Sequence, residues 1–153
     1  MRDIDPSPKG IIDLVSRVNE ASRDYLQKAL IERNLEGIVP AHGQVFFPLF
    51  SRGGPLNLKE IVRLSGRAKS TVTGMVQTLE KYGYVKRLDS PEDRRSVVLA
   101  LTEKGAEVET VFHEISKDLL ELVYRDVSRE EQEILIKLLY RVEDNLKSEW
   151  KEE

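Results

Sequence analysis

Residues 57–105 read NLKEIVRLSGRAKSTVTGMVQTLEKYGYVKRLDSPEDRRSVVLALTEKG, and their pattern decides the fold. Asn57 stands three residues before Glu60 and just ahead of Ile61, Val62 and Leu64, an asparagine form of the capping box that starts a short helix. Gly66 punctuates it. A second helix is predicted over 69–81. Val72, Met75, Val76 and Leu79 share one side of it, while Ser70, Thr73, Gly74, Gln77 and Lys81 share the other, and Gly83 closes it. The period then changes. Segments 84–88 and 97–101 are β-rich, and Asp89-Ser-Pro-Glu-Asp-Arg-Arg-Ser96 between them is charged and turn-forming, which reads as a hairpin with a long loop. Two short helices joined by a glycine-containing turn make a helix-turn-helix, and a hairpin directly after the second helix makes it winged.

The flanks are helical. From 10 to about 34, Ile11, Leu14, Val15, Val18, Tyr25, Leu26, Ala29 and Leu30 recur at spacings of three, four and seven. Gly37 and Pro40 end that helix and open another, with Pro40 suited to a first helical position. Residues 45–50 are short and heavily apolar, a buried helix broken by Gly53, Gly54 and Pro55. After the hairpin, Thr102 caps a long helix carrying Val108, Val111, Phe112, Ile115, Leu119, Leu122 and Val123. Ser128 and Glu131 form a further capping box ahead of Ile134, Leu135, Leu138, Leu139, Val142, Leu146 and the lone Trp150. Residues 1–9 read as a flexible tail. The expected fold is mainly α with a small β-hairpin wing: a winged helix-turn-helix over 38–105, flanked by long helical regions over 10–36 and 106–153.

Composition narrows the function. With 153 residues and 40% hydrophobic content, the chain has enough apolar mass for one core. No stretch approaches the roughly 18 uncharged apolar residues of a membrane helix, and the polar, proline-containing start is unlike a signal peptide. There is no cysteine, so no disulfide, thiolate metal site or thiol switch is available. The expectation is a cytoplasmic protein. Net charge is only −3, but it is unevenly spread: residues 51–105 hold eleven Lys/Arg against six Asp/Glu, a net +5, and the remainder carries −8. A basic middle can place a positive field on one surface of an acidic protein.

That basic middle has the chemistry of a duplex reader. Ser70, Thr73, Gly74 and Gln77 form a polar, compact helix face. Glutamine can bond adenine bidentately, threonine can touch a thymine methyl, and small residues allow close approach to the major groove. Lys59, Arg63, Lys69, Lys81 and Arg87, with Ser70 at the helix start, are candidates for backbone phosphates. At the loop tip, Arg94 and Arg95 beside Asp93 suit a narrow minor groove, with Asp93 able to hold Arg95 by a bidentate pair. The plain alternatives are a solvated helix face and a surface ion pair.

The sequence resembles the MarR family of winged-helix transcription regulators. The resemblance rests on Leu58-Lys-Glu-Ile-Val62, Lys69-Ser-Thr-Val-Thr-Gly-Met-Val-Gln-Thr-Leu-Glu80, Gly83-Tyr-Val-Lys-Arg87, Asp93-Arg-Arg95 and Leu101-Thr-Glu-Lys-Gly105. It is strongest over 38–105 and extends to the long helices on either side. It implies a homodimer on a pseudo-palindromic double-stranded operator, with 69–82 as the recognition helix and 89–96 as the wing. Arg95 would enter the minor groove, and the terminal helices would dimerise. It also implies repression at a promoter, with activation the alternative, and, if an effector exists, release by a small molecule bound where the dimerising and DNA-binding parts meet. His42 at the start of the second helix, with Phe46 or Phe47, is the candidate lining of that pocket; a packed structural histidine is the alternative. Two positions depart from the family pattern. Gly74 stands where many members carry arginine, and Ala68 where a serine often caps the recognition helix.

Other chemistries lack their parts. Gly66-Arg-Ala-Lys-Ser-Thr71 lacks the first glycine, the spacing and the preceding strand of a phosphate-binding loop. His42 and His113 are far apart with no clustered ligands, so neither a metal nor a cofactor is expected. No nucleophile and base stand out as a set, so no enzyme activity is expected. The acidic polar faces of the long helices argue against a membrane-surface helix. The competing reading is a winged helix that docks protein instead of DNA, and steep salt dependence of heparin retention discriminates the two.

Overall fold

The structure, a computed structural model, describes residues 10–89 and 97–148. In chain order it contains α1 (Ile11–Glu32), a 3-10 turn (Pro40–His42), α2 (Gly43–Arg52), β1 (Leu56–Asn57), α3 (Leu58–Ser65), α4 (Lys69–Lys81), β2 (Val85–Asp89), β3 (Val97–Leu101), α5 (Glu103–Val123) and α6 (Arg129–Ser148). Six helices with a small antiparallel sheet are the expected winged helix-turn-helix architecture. Among the described residues, no helix is long and apolar enough to cross a membrane.

Both expected helix starts carry a side-chain cap, and at Ser128 it is the full reciprocal box. The Asn57 side-chain oxygen accepts from the Lys59 N–H at 2.9 Å. Ser128 and Glu131 bond reciprocally, with the Ser128 N–H donating to the Glu131 carboxylate at 2.8 Å and the Glu131 N–H to the Ser128 hydroxyl at 3.3 Å. Those bonds hold the Glu131 carboxyl below its usual pKa.

Three boundaries differ from expectation. α1 stops at Glu32, and Asn34 in the left-handed region (φ 55°) turns the chain before Gly37 does. Pro40 opens a 3-10 turn, and α2 itself begins at Gly43. The sheet has three strands in the order β1-β3-β2, because Leu56 and Asn57 pair with Leu99 and Val98. A two-residue strand has no period to read, so the sequence shows only the hairpin. In that hairpin Val85 faces Leu101 and Asp89 faces Val97.

The chain divides after Ser116 into two compact units. In the first, Phe46 is fully buried at the centre of an aromatic group. Its ring centroid lies 4.9 Å from that of Phe112 in α5, 5.4 Å from Phe50 and 6.0 Å from Tyr84. Val72, Val76 and Leu79 bring the inner side of α4 into the same core. Leu101-Thr-Glu-Lys-Gly105 fastens α5 to the turn between α4 and β2. The Thr102 N–H donates to the Tyr84 carbonyl at 3.0 Å, its hydroxyl donates to the Gly83 carbonyl at 2.6 Å, and that hydroxyl accepts from the Gly105 N–H at 3.0 Å. A Cβ on Gly105 would lie 1.9 Å from the Tyr84 carbonyl oxygen, so only glycine lets the two backbones approach this closely. Lys104 adds a bond to the Tyr82 carbonyl at 2.8 Å. The orientation of α4 is thereby fixed from its inner side and from its C-terminal end.

The second unit is different in kind. α6 contains no buried residue, and Ile134, Leu135, Leu138, Leu139 and Leu146 are all exposed.

Candidate nucleic-acid interface

The outer side of α4 is open. Ser70, Gly74 and Gln77 are exposed, and Thr73 is half-buried. The Thr73 hydroxyl donates to the Lys69 carbonyl at 2.8 Å, one turn back. Its proton is therefore committed to the helix, leaving its lone pairs and methyl for an outside partner. A Cβ at Gly74 would meet nothing within 4 Å, so this point of the face is a gap. Ala68 supplies no side-chain cap to the helix start.

The expected cations are distributed unequally around that face. Lys59 and Lys69 are exposed. Lys81 reaches over the Tyr82 ring at 5.7 Å. Arg63 meets the Glu60 carboxylate at 3.9 Å. The Arg87 Nε bonds both Glu80 oxygens, at 2.9 and 3.0 Å, which ties β2 to α4 and offsets the arginine charge. Asp93, Arg94 and Arg95 lie outside the described residues, as does Trp150; the Asp89–Val97 rung is the last of the hairpin that is described.

Sequence reasoning passed over Arg67 and Gln44. Arg67 stands in the turn between α3 and α4, and its Nε donates to the Gln44 side-chain oxygen at 3.2 Å. The proximity of Arg67 to Lys69 was a signal in the sequence; its partner 23 residues upstream was not.

The three candidate pocket residues separate. His42 is buried, and its Nδ1 accepts the Val39 N–H at 3.1 Å, closing the 3-10 turn. Burial pushes its pKa below the ordinary 6.5, and an accepting Nδ1 is necessarily unprotonated. Phe46 lies in the core. Only Phe47, 40% exposed, borders open space, a groove of about 620 Å³ between α2 and α3 that Gln44, Pro48, Leu56 and Leu64 also line. Among the described residues, no group of three or more His, Cys, Asp or Glu is placed to hold a metal ion.

Comparison with known proteins gives the family and the fold. The profile of the MarR family matches residues 50–97. The HTH-type transcriptional regulator YkoM of Bacillus subtilis (strain 168) is 32% identical over 119 residues, covering 78% of this chain and 77% of YkoM. Three further curated relatives are 30–35% identical, and the chain spans 54–66% of their length. Among solved structures, a MarR protein from Peptoclostridium difficile superposes with a TM-score of 0.79 at 24% identity, covering 98% of this chain and 95% of that one. A mutant MarR from E. coli complexed with operator DNA gives a TM-score of 0.75 at 24% identity, covering 89% of this chain and 98% of that one. At these identities the superpositions establish the fold.

Proposed function

The chain belongs to the MarR family of winged helix-turn-helix transcriptional regulators, and from that premise we propose that it binds a pseudo-palindromic double-stranded operator as a homodimer and represses transcription there. The observation that carries this reading is the open side of α4, where Ser70, Gly74 and Gln77 are exposed on a helix held firmly from behind. In each lobe, 38–105 is the DNA-binding region. α4 enters the major groove, where Gln77 and Thr73 read base edges and Gly74 lets the backbone approach. Lys59 and Lys69 hold phosphates, with Arg63, Lys81 and Arg87 at the margins. The wing lies in the flanking minor groove, with Arg95 held there by Asp93.

Dimerisation is assigned to the terminal regions. Ile12, Leu14 and Val18 on α1 are exposed at 63%, 49% and 55%, and α6 leaves Ile134, Leu135, Leu138, Leu139 and Leu146 open. A second copy would cover such faces, and an effector would act by favouring a dimer geometry whose lobes no longer match the operator. The groove beside Phe47 is the place we assign to it, with His42 and Phe46 acting as structural residues.

The test is fluorescence anisotropy with a duplex pool that includes the DNA upstream of its own coding sequence, titrated in salt. The expected result is one duplex bound well above the pool, with log K falling steeply against log[salt]. Gln77→Ala should cost about 1–3 kcal/mol on that duplex and relax preference at one position. Absence of duplex binding at low salt would overturn the reading in favour of protein docking.

A further inference from the structure

Three arginines lie between the start of α3 and the end of β2: Arg63, Arg67 and Arg87. Two of them face carboxylates, Glu60 and Glu80. Arg67 does not. It is exposed in the turn that leads into α4, two residues before Lys69. Both its ends are held: the main-chain N–H donates to the Ser65 hydroxyl at 3.3 Å, and Nε donates to the Gln44 amide oxygen at 3.2 Å. No carboxylate among the described residues pairs with it.

The identity of the acceptor matters. A carboxylate orients a guanidinium and cancels its charge, whereas an amide oxygen orients it and leaves the charge intact. With Nε committed, the two terminal nitrogens keep four N–H donors in one fixed plane. A planar, fully charged fork held in advance at the entrance to the recognition helix matches a phosphate better than a free lysine does, because less side-chain entropy remains to be lost on binding. We infer that Arg67 is a phosphate-binding residue of the DNA interface and that Gln44 positions it.

This inference rests on the DNA-binding reading above, and the experiment separates the two. Full-length protein is titrated into a labelled duplex of random sequence over a range of salt, with thermal midpoints confirming that each variant folds. Arg67→Gln should weaken binding about tenfold at low salt and reduce the slope of log K against log[salt] by about 0.9 for each copy engaged. Gln44→Leu keeps the charge but frees the fork, so affinity should fall about threefold at an unchanged slope. Gln44→Glu puts a carboxylate where the amide was, and should lower the slope as Arg67→Gln does. Wild-type affinity and slope in Arg67→Gln, with duplex binding intact in the parent protein, would overturn the inference alone. Unchanged affinity in Gln44→Leu would overturn the positioning role. Failure of the parent protein to bind any duplex would overturn both readings together.

Discussion

The region from α2 to β3 and the last helix use the same apolar pattern to opposite ends. In the first, Val45, Phe46, Leu49, Ile61, Val72, Val76, Leu79 and Leu99 are all fully buried within their own unit. In the second, Ile134, Leu135, Leu138 and Leu139 recur just as regularly, yet each is more than 40% exposed. Regular spacing establishes that a segment is a helix with an apolar side; it does not establish what covers that side. The contrast separates a self-sufficient scaffold, which positions α4, from a stripe suited to a second copy of the chain.

The sharpest way to break the scaffold is Gly105→Ala. The added Cβ would meet the Tyr84 carbonyl oxygen at 1.9 Å, a contact between backbones that no rotamer relieves. We expect a loss of about 3 kcal/mol in chemical denaturation. Because Thr102 and Gly105 together seat α5 on the turn after α4, the same variant should weaken duplex binding through misplacement of that helix. A variant as stable as the parent would show that the backbones can part without cost.

The stripe on α6 is tested by Leu135→Glu and Leu138→Glu. Both residues are exposed within the chain, so the fold of the first unit should be untouched. If a second copy covers them, two buried charges per interface should raise the dimer dissociation constant at least about a hundredfold, roughly 2.7 kcal/mol. Sedimentation velocity across a concentration series measures this directly. An unchanged sedimentation profile would place the interface elsewhere.

His42 gives a smaller effect with a definite sign. Its folded pKa lies below 6.5 because burial disfavours the charged ring. Well above 6.5 the ring is neutral in both states and contributes no slope. As pH falls below that value the unfolded chain takes up the proton first, so stability is lost progressively down through the folded pKa. His42→Asn keeps a side-chain acceptor for the Val39 N–H without a titrating ring. Its thermal midpoint should therefore fall less than that of the parent between neutral and mildly acidic pH. Parallel pH profiles would remove His42 as the source.

α4, the hairpin and the reciprocal cap at Ser128 follow from local period and spacing, and each forms as expected. β1 escaped because its pairing with Leu99 and Val98 is set by the third dimension alone. For His42 the sequence leaves two readings open, because a buried acceptor and a pocket wall look identical in a one-dimensional pattern; the structure buries it as the packed histidine. The expected phosphate contacts named Arg63 and Arg87, whose charges meet carboxylates, and omitted Arg67, whose charge does not. Charge is visible in a sequence; whether it is already spent depends on a carboxylate three or seven residues away.

The mildest test concerns Gly74, the one glycine inside α4. Its exposed position has open space where a Cβ would stand, so Gly74→Ala adds a methyl group without a clash. Alanine loses less backbone entropy than glycine in a helix, and the substitution should stabilise the folded chain by about 0.5–1 kcal/mol. If α4 were only a solvated surface helix, that gain would be the whole effect. If the face meets a base edge at close range, the same methyl group fills the gap left for it, and duplex affinity should fall while stability rises. Opposite signs in the two measurements require a partner at Gly74, because no property of the isolated helix produces them. Equal affinity with raised stability would leave the scaffold account intact and move the closest approach to another residue of α4.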